Sequence, residues 1–245
     1  MKLFDEGHDT DIVLENPSNE AILLAARDLQ KNLRYLSGNR DGFRMTEKPE
    51  GCAIRIRTDG NEEPESYTVN ISENQVLITG ADTLGTVYGI YAFSTKCLNF
   101  LPFYRLADLF PRQTEALILE EQSFASAPRR VRFRGWFLND EDLLTEVKIS
   151  GGKRNIDYDF YDHVMDVAVL DRILETALRM EINLVIPSSF VDIDNPDEEK
   201  LVEAVCRRGL YVSQHHVEPM GVSYFGADKY LKKRGYDAEA VSFLT

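Results

Sequence analysis

The stretch Val131–Asp142, which reads VRFRGWFLNDED, decides the fold of the second half of the chain. Its apolar part stops abruptly at polar and acidic residues, which is typical of a buried strand, so we predict a strand over Val131–Leu138. Helix and strand patterns then alternate: a helix over Asp162–Met180, a strand over Asn183–Pro187, a helix from Asn195-Pro196 to Arg208 and a strand over Leu210–His215. This β-α-β-α-β order, with strands that are apolar on both faces, predicts a parallel sheet.

Each of these three strands is followed by chemically useful side chains. Asn139, Asp140 and Glu141 follow the first, Ser188 and Ser189 the second, and His215, His216 and Glu218 the third. Ligand sites of parallel α/β folds lie at the carboxyl ends of the strands, so we expect these groups to converge on one rim. Ordinary polar loop residues are the alternative interpretation.

Acidic groups on the first and third strands suit acid–base chemistry. Glycoside hydrolysis needs one carboxyl to protonate a leaving oxygen and another to activate water or attack, and Asp140 or Glu141 could face Glu218 across a gap. A metal site is not expected, because adjacent strand residues such as His215 and His216 point to opposite faces. Gly80–Gly85 lacks the Lys-Ser/Thr pair of a phosphate-binding loop and predicts a tight turn, so no cofactor is expected.

The first half predicts an α+β layer. A strand is expected within 9–16, a helix from Asn16-Pro17 to Gly38, three strands over 53–57, 67–71 and 75–79, and a second helix capped by Asp82. The sheet should be antiparallel or mixed. Residues 122–130 are small, polar and proline-containing, and we place the domain boundary there, with one domain over 1–125 and another over 128–245.

Charge and composition exclude several classes of protein. The chain has 28 basic and 41 acidic residues, a net charge of −13 that repels nucleic acids and anionic membranes, so neither is expected as a partner. No apolar run is long enough to span a bilayer. The N-terminus lacks a signal-peptide pattern, which predicts a cytoplasmic protein, or an exported one if a signal has been removed. The three cysteines, Cys52, Cys97 and Cys206, are expected to be buried and reduced.

The segment Arg134–Glu141 (RGWFLNDE) resembles the Arg-Gly-x-Phe-x-Asn-Asp-Glu segment that opens the catalytic barrel of glycoside hydrolase family 115, the xylan α-glucuronidases. His215–Met220 (HHVEPM) is similar to that family's His-His-Glu-Pro-Met motif, although Val217 is inserted. Residues 80–91 resemble a helix of the small α+β domain that precedes the barrel in families 20, 67 and 115. Ser188-Ser189-Phe190 departs from the family, which has a tryptophan-bearing segment there.

The resemblance implies an α+β accessory domain like the second domain of hexosaminidases, followed by the first βα units of a TIM (β/α)₈ barrel. It implies inverting hydrolysis of plant polysaccharide side chains, with α-glucuronosyl groups of xylan as candidate substrates. In this interpretation Asp140 and Glu218 are catalytic. The expected substrate-binding residues are Trp136, Asn139, Glu141, Ser188, His215 and His216.

A complete barrel takes about 250 residues, and residues 128–245 supply only three strands, so we expect a truncated barrel. The longer protein should then be a glycoside hydrolase that binds an oligosaccharide or uronic-acid-bearing glycan. The 245-residue chain alone should be inactive and should self-associate through its open sheet edge. The alternative function is a non-catalytic carbohydrate-binding or interaction module that keeps the fold.

Overall fold

A computed structural model describes residues 1–49, 51–60, 63–141, 143–156, 161–215 and 232–235. The strands are β1 Lys2–Asp5, β2 His8–Asp9, β3 Asp11–Leu14, β4 Ala53–Thr58, β5 Tyr67–Ile71, β6 Gln75–Gly80, β7 Leu117–Ile118, β8 Gln122–Ala125, β9 Gly135–Phe137, β10 Leu184–Ile186 and β11 Tyr211–Val212. The helices are α1 Glu20–Ser37, α2 Thr83–Leu98, α3 Leu143–Glu146, α4 Val167–Arg179 and α5 Pro196–Arg207. The elements are mixed α+β in the first half and, apart from the short additional helix α3, β-α-β-α-β in the second, as the sequence predicts.

The first half is built on a mixed five-stranded sheet in the order β3-β4-β6-β5-β8. Strands β3, β4 and β6 are parallel, whereas β5 pairs antiparallel with both β6 and β8. Within the segment 122–130, where the domain boundary is predicted, Gln122–Ala125 pairs with β5 as an edge strand. Its polar composition fits an edge position, where only one side of the strand is paired.

Helix α1 begins later than the sequence predicts. The side chain of Asn19 accepts a hydrogen bond from the Ile22 N–H (3.2 Å), so Asn19 rather than Asn16 caps the helix and Pro17 lies outside it. The predicted end is confirmed, since Gly38 has φ 73° and its N–H donates to the Tyr35 carbonyl. The Asp82 cap of α2 is also confirmed, with its carboxylate accepting from the Gly85 N–H at 2.7 Å.

A second, smaller sheet was not predicted. It has the order β2-β1-β7 and joins the chain start to residues after α2 through antiparallel pairs. The predicted strand within 9–16 is divided between β2 and β3, which belong to different sheets. The strands of this sheet are too short for alternation of apolar and polar residues to reveal them.

The second half contains the predicted parallel sheet, in the order β11-β10-β9. All three strands are shorter than expected. Before β9, the Arg134 N–H donates to the side-chain oxygen of Asn183 (2.8 Å) instead of to a neighbouring strand. Helix α4 begins at Val167 rather than Asp162, because the Asp166 carboxylate caps it through the Ala168 N–H (2.8 Å).

Contacts divide the chain into two compact units. Unit 1 comprises Met1–Arg134, Leu174–Asn183 and Arg207–Leu210, and unit 2 comprises Gly135–Ile173, Leu184–Cys206 and Tyr211–Thr245. The predicted domain limits of 1–125 and 128–245 stay a prediction. Among the described residues no helix is long and apolar enough to cross a membrane.

Buried ion pairs hold the later segments of unit 1 in place. Arg208 donates to the Asp28 carboxylate at 2.7 Å, and both side chains are 3% exposed. Glu175 and Arg179 of α4 are paired at 2.9 Å, and Tyr104 donates to Glu175 at 3.0 Å. Removing one partner of such a pair leaves an uncompensated buried charge, so these contacts tie unit 1 together.

The cysteines are free, but they are not all buried. Cys52 and Cys97 are half-buried and Cys206 is exposed. Cys206 lies on α5, whose inward positions are occupied by Glu198, Leu201 and Val205 instead.

Candidate carbohydrate site

The ends of the three parallel strands converge within unit 2. After β9, the Asn139 side chain accepts a hydrogen bond from the Ser189 hydroxyl (2.8 Å), which follows β10. His215, which follows β11, stacks on the Phe137 ring with the centroids 4.9 Å apart and the planes at 15°. The rim expected from the sequence therefore contains at least one polar group from each strand end.

Asp140 lies at the centre of this arrangement and is fully buried. One carboxylate oxygen accepts from the Tyr161 hydroxyl and from the Ser189 N–H (2.9 Å). The other accepts from the Arg154 guanidinium at 2.9 Å. Protein donors thus occupy both oxygens of the residue that the sequence assigns to catalysis.

Arg154 organises the cluster, and it was not among the predicted site residues. Its guanidinium bridges Asp140 and Glu198, each at 2.9 Å, with the arginine side chain 0% exposed. It also donates to the backbone carbonyls of Phe190 (2.8 Å) and His163 (3.0 Å). The Tyr161 ring lies beneath it, 3.9 Å from the guanidinium carbon to the ring centroid. One arginine therefore links the end of β9, the segment after β10 and the start of α5.

Gly151 and Gly152, shortly before Arg154, allow the backbone to pass close to its neighbours and bring Arg154 into the cluster. A Cβ atom on Gly151 would lie 2.0 Å from the Val164 carbonyl oxygen, so no larger residue fits there without movement. Gly152 has φ 108°, a conformation that side chains disfavour. The Gly-Gly-Lys-Arg sequence inside a long polar stretch is the signal that could have indicated Arg154.

Two opposed effects act on the pKa values of the buried carboxyls: burial raises them, and hydrogen bonds and ion pairs lower them. Burial raises the pKa of Asp140 above its ordinary value, while Arg154, Tyr161 and the Ser189 N–H act in the opposite direction. Burial likewise raises the pKa of Glu198, opposed first by Arg154. The pKa of the Tyr161 phenol is raised by burial and then by the Asp140 charge, so Tyr161 stays a hydrogen-bond donor.

The other predicted site residues differ in accessibility. Asn139 is exposed, and Trp136, Glu141 and His215 are partly exposed, so their side chains can meet solvent. Ser188 is buried and donates to the Phe190 carbonyl at 2.6 Å, which makes it part of the framework rather than of the rim surface. His216 and Glu218 lie outside the described residues.

The described residues contain no group of three or more His, Cys, Asp or Glu side chains that could hold a metal ion.

The basic run Arg129–Arg134 is partly engaged with carboxylates, since Arg129 pairs with Glu181 and Arg134 with Glu65. The described rim residues carry hydroxyl, amide, imidazole and carboxylate groups, which can form hydrogen bonds with sugar hydroxyls.

The rim residues lie in a part of the chain that matches a known protein family. A family model described as glycosyl hydrolase family 115 matches residues 126–239, which include every predicted site residue. Residues 126–239 match family 115. The resemblance seen in the two short motifs is thereby confirmed for this part of the chain. The comparison with curated proteins finds no significant match.

Solved structures give the same fold. A family GH115 4-O-methyl-α-glucuronidase with specificity for decorated arabinogalactans has a TM-score of 0.71 at 21% identity, over 94% of this chain and 31% of that chain. The GH20 β-N-acetylhexosaminidase from Streptomyces coelicolor A3(2) has a TM-score of 0.57 at 17% identity, over 86% of this chain and 42% of that chain. Flavobacterium johnsoniae chitobiase has a TM-score of 0.53 at 16% identity, over 86% and 32%.

These likenesses establish the architecture of the family 115-like chain. An α+β domain followed by βα units is common to the family 115 and family 20 structures, as the sequence predicts. The chain spans between about a third and two fifths of the length of these three structures. It is glycoside hydrolase-like in sequence and fold.

Proposed function

We propose that the protein carries a glycoside hydrolase site of the family 115 type that acts on uronic-acid-bearing side chains of plant polysaccharides. The match of residues 126–239 to that family is the observation that supports this most strongly. The strand-end rim adds support from geometry, since sites of parallel α/β folds lie at such ends. The α-glucuronosyl groups of xylan and decorated arabinogalactans are the substrates to test first.

The burial of Asp140 argues against this residue as the general acid or base. A general acid or base must come within hydrogen-bond reach of the proton it transfers. Asp140 is 0% exposed and already accepts from Tyr161, Ser189 and Arg154. We therefore favour Asp140 as a positioning residue that holds Asn139 and Glu141 at the rim, and Glu218 and Glu141 as the candidate acid and base.

The test is release of uronic acid from glucuronoxylan and from arabinogalactan by a form of the protein with a complete barrel, because the 245-residue chain alone is expected to be inactive. We expect Glu218→Gln and Glu141→Gln to lower kcat by about 100-fold or more, as loss of a general acid or base does. Glu146→Gln on α3, which changes an exposed carboxylate nearby, is the matched control and should leave kcat unchanged. A folded form with a complete barrel that releases no uronic acid from either glycan would contradict the proposal.

A non-catalytic carbohydrate-binding module is the second candidate. The observation that favours it is the burial of Asp140, which is 0% exposed and accepts from Tyr161, Ser189 and Arg154 instead of facing a sugar. Calorimetric titration with aldouronic and neutral xylo-oligosaccharides separates the two candidates. Binding without turnover supports the module, whereas turnover supports the hydrolase.

A further inference from the structure

The five-stranded sheet of unit 1 has one face that points away from α2. Alternate residues of a strand lie on opposite faces. The face towards α2 carries the fully buried residues Ile54 and Ile56 of β4 and Val76 and Ile78 of β6. On the same face, the hydroxyl oxygens of Thr58 and Thr86 of α2 are 2.8 Å apart. The intervening residues of β4, β6 and β5, including Arg57, Thr79 and Thr68, lie on the other face.

The strand register places three of these polar residues side by side. Arg57 is the partner of Thr79 across β4 and β6, and Thr79 is the partner of Thr68 across β6 and β5. The Arg57 Nε donates to the Thr79 hydroxyl at 3.1 Å, which fixes the direction of the guanidinium along the row. The guanidinium N–H donors of Arg57 therefore lie beside the hydroxyls of Thr79 and Thr68 on the sheet.

A cavity of about 130 Å³ opens over this row. Its polar lining comprises Arg57, Asp59, Ser66, Thr68, Asn70 and Thr79. At about 30 Å³ per water molecule, the space holds roughly four waters, or a carboxylate with the adjoining edge of one sugar ring. The Ser66 hydroxyl oxygen is buried and has no hydrogen-bond partner among the described residues, so it is available to a bound molecule.

Arg57 differs from the buried arginines of this protein in its electrostatic environment. Arg154, Arg179 and Arg208 each have a carboxylate partner within 2.9 Å. Among the described residues, no carboxylate forms an ion pair with Arg57, although the chain as a whole carries a net charge of −13. A half-buried guanidinium with free N–H donors attracts an anion that can satisfy it.

We propose that this cavity is a second carbohydrate site that binds the carboxylate of a single uronic acid residue. Arg57 grips the carboxylate, and the hydroxyls of Thr68, Thr79 and Ser66 meet ring hydroxyls. The carboxylate of Asp59 at the same cavity repels a dianion such as phosphate more strongly than it repels a singly charged carboxylate. The choice of a sugar as the carrier of the carboxylate rests on the proposed function, whereas the preference for a carboxylate rests on Arg57.

The experiment is an amide ¹H–¹⁵N titration of the protein with sodium glucuronate, glucose and inorganic phosphate as separate probes. We expect glucuronate to shift the amide signals of Thr68 and Thr79 saturably, with glucose and phosphate at least tenfold weaker. Arg57→Gln should weaken glucuronate binding about tenfold or more, since charged hydrogen bonds are lost. Arg55→Gln, the same change two residues earlier on the same face of β4 and outside the cavity lining, should leave it unchanged.

The outcomes separate the two proposals. Thr68→Val removes one hydroxyl without changing charge and should weaken glucuronate binding by a smaller factor than Arg57→Gln does. This second variant tests the site even if Arg57→Gln does not fold. No saturable shift with glucuronate, equal binding by Arg57→Gln, or equal binding of glucose or phosphate overturns this inference. Loss of uronic acid release with intact Arg57-dependent binding would overturn the proposed function alone.

Discussion

Replacing Arg154 with methionine tests whether the buried cluster organises unit 2. The substitution removes the cation between Asp140 and Glu198, which are 0% and 2% exposed at their side chains. Breaking a buried pair in this way costs about 3–5 kcal/mol, because a charge stays buried without compensation. At about 2–4 °C per kcal/mol for a chain of this size, Tm should fall by roughly 6–20 °C.

The same substitution should make stability more dependent on pH. Burial already raises the pKa of Asp140 and of Glu198, and removal of Arg154 takes away the group that opposes this most strongly. A carboxyl whose pKa is raised in the folded state contributes stability that is lost as the pH rises through that pKa. Arg154→Met should therefore lose more free energy of unfolding at pH 8 than at pH 5.

Urea unfolding at these two pH values measures both effects. Trp136 is the only tryptophan and lies on β9, so its fluorescence reports on unit 2. Lys200→Met is the matched control, since it removes a cation from an ion pair that is 54% and 36% exposed, and it should cost less than about 1 kcal/mol. A loss below about 1 kcal/mol for Arg154→Met, or a larger loss at pH 5 than at pH 8, would refute this reasoning.

Three further predictions concern other contacts. Arg208→Met leaves Asp28 with only Lys31, whose side chain is 69% exposed, as a cationic partner and should destabilise unit 1 by up to about 3 kcal/mol, measured by amide hydrogen exchange of α1. Asp166→Ala removes the cap of α4 and should cost about 1 kcal/mol in urea unfolding. The Ser150 hydroxyl, then Lys148 and the Ala168 N–H, lower the pKa of Asp166 to about 2, so that contribution should disappear as the pH falls from about 4 to about 2. Gly151→Ala brings a Cβ within 2.0 Å of the Val164 carbonyl and should lower Tm, whereas an unchanged Tm would show that the loop can move aside.

Local chemistry determined much of the fold from sequence. The alternation of apolar and polar residues revealed β4, β5 and β6, because a strand with one face against helices repeats every two residues. Gly38 and Asp82 marked helix ends because a positive φ and a carboxylate cap are properties of single residues. Apolar runs separated by helices were enough to predict the parallel pairing of β9, β10 and β11.

Tertiary structure decided which polar residues belong together. Arg154, Glu198 and Asp140 are far apart in the sequence, and only the fold reveals that one guanidinium joins them and closes Asp140 to solvent. The same holds for Glu175 and Arg208, which contact residues of the first half from positions late in the chain. The sequence indicates that a side chain is polar, but whether it faces a substrate, an ion-pair partner or an open cavity depends on neighbours that chain folding brings close.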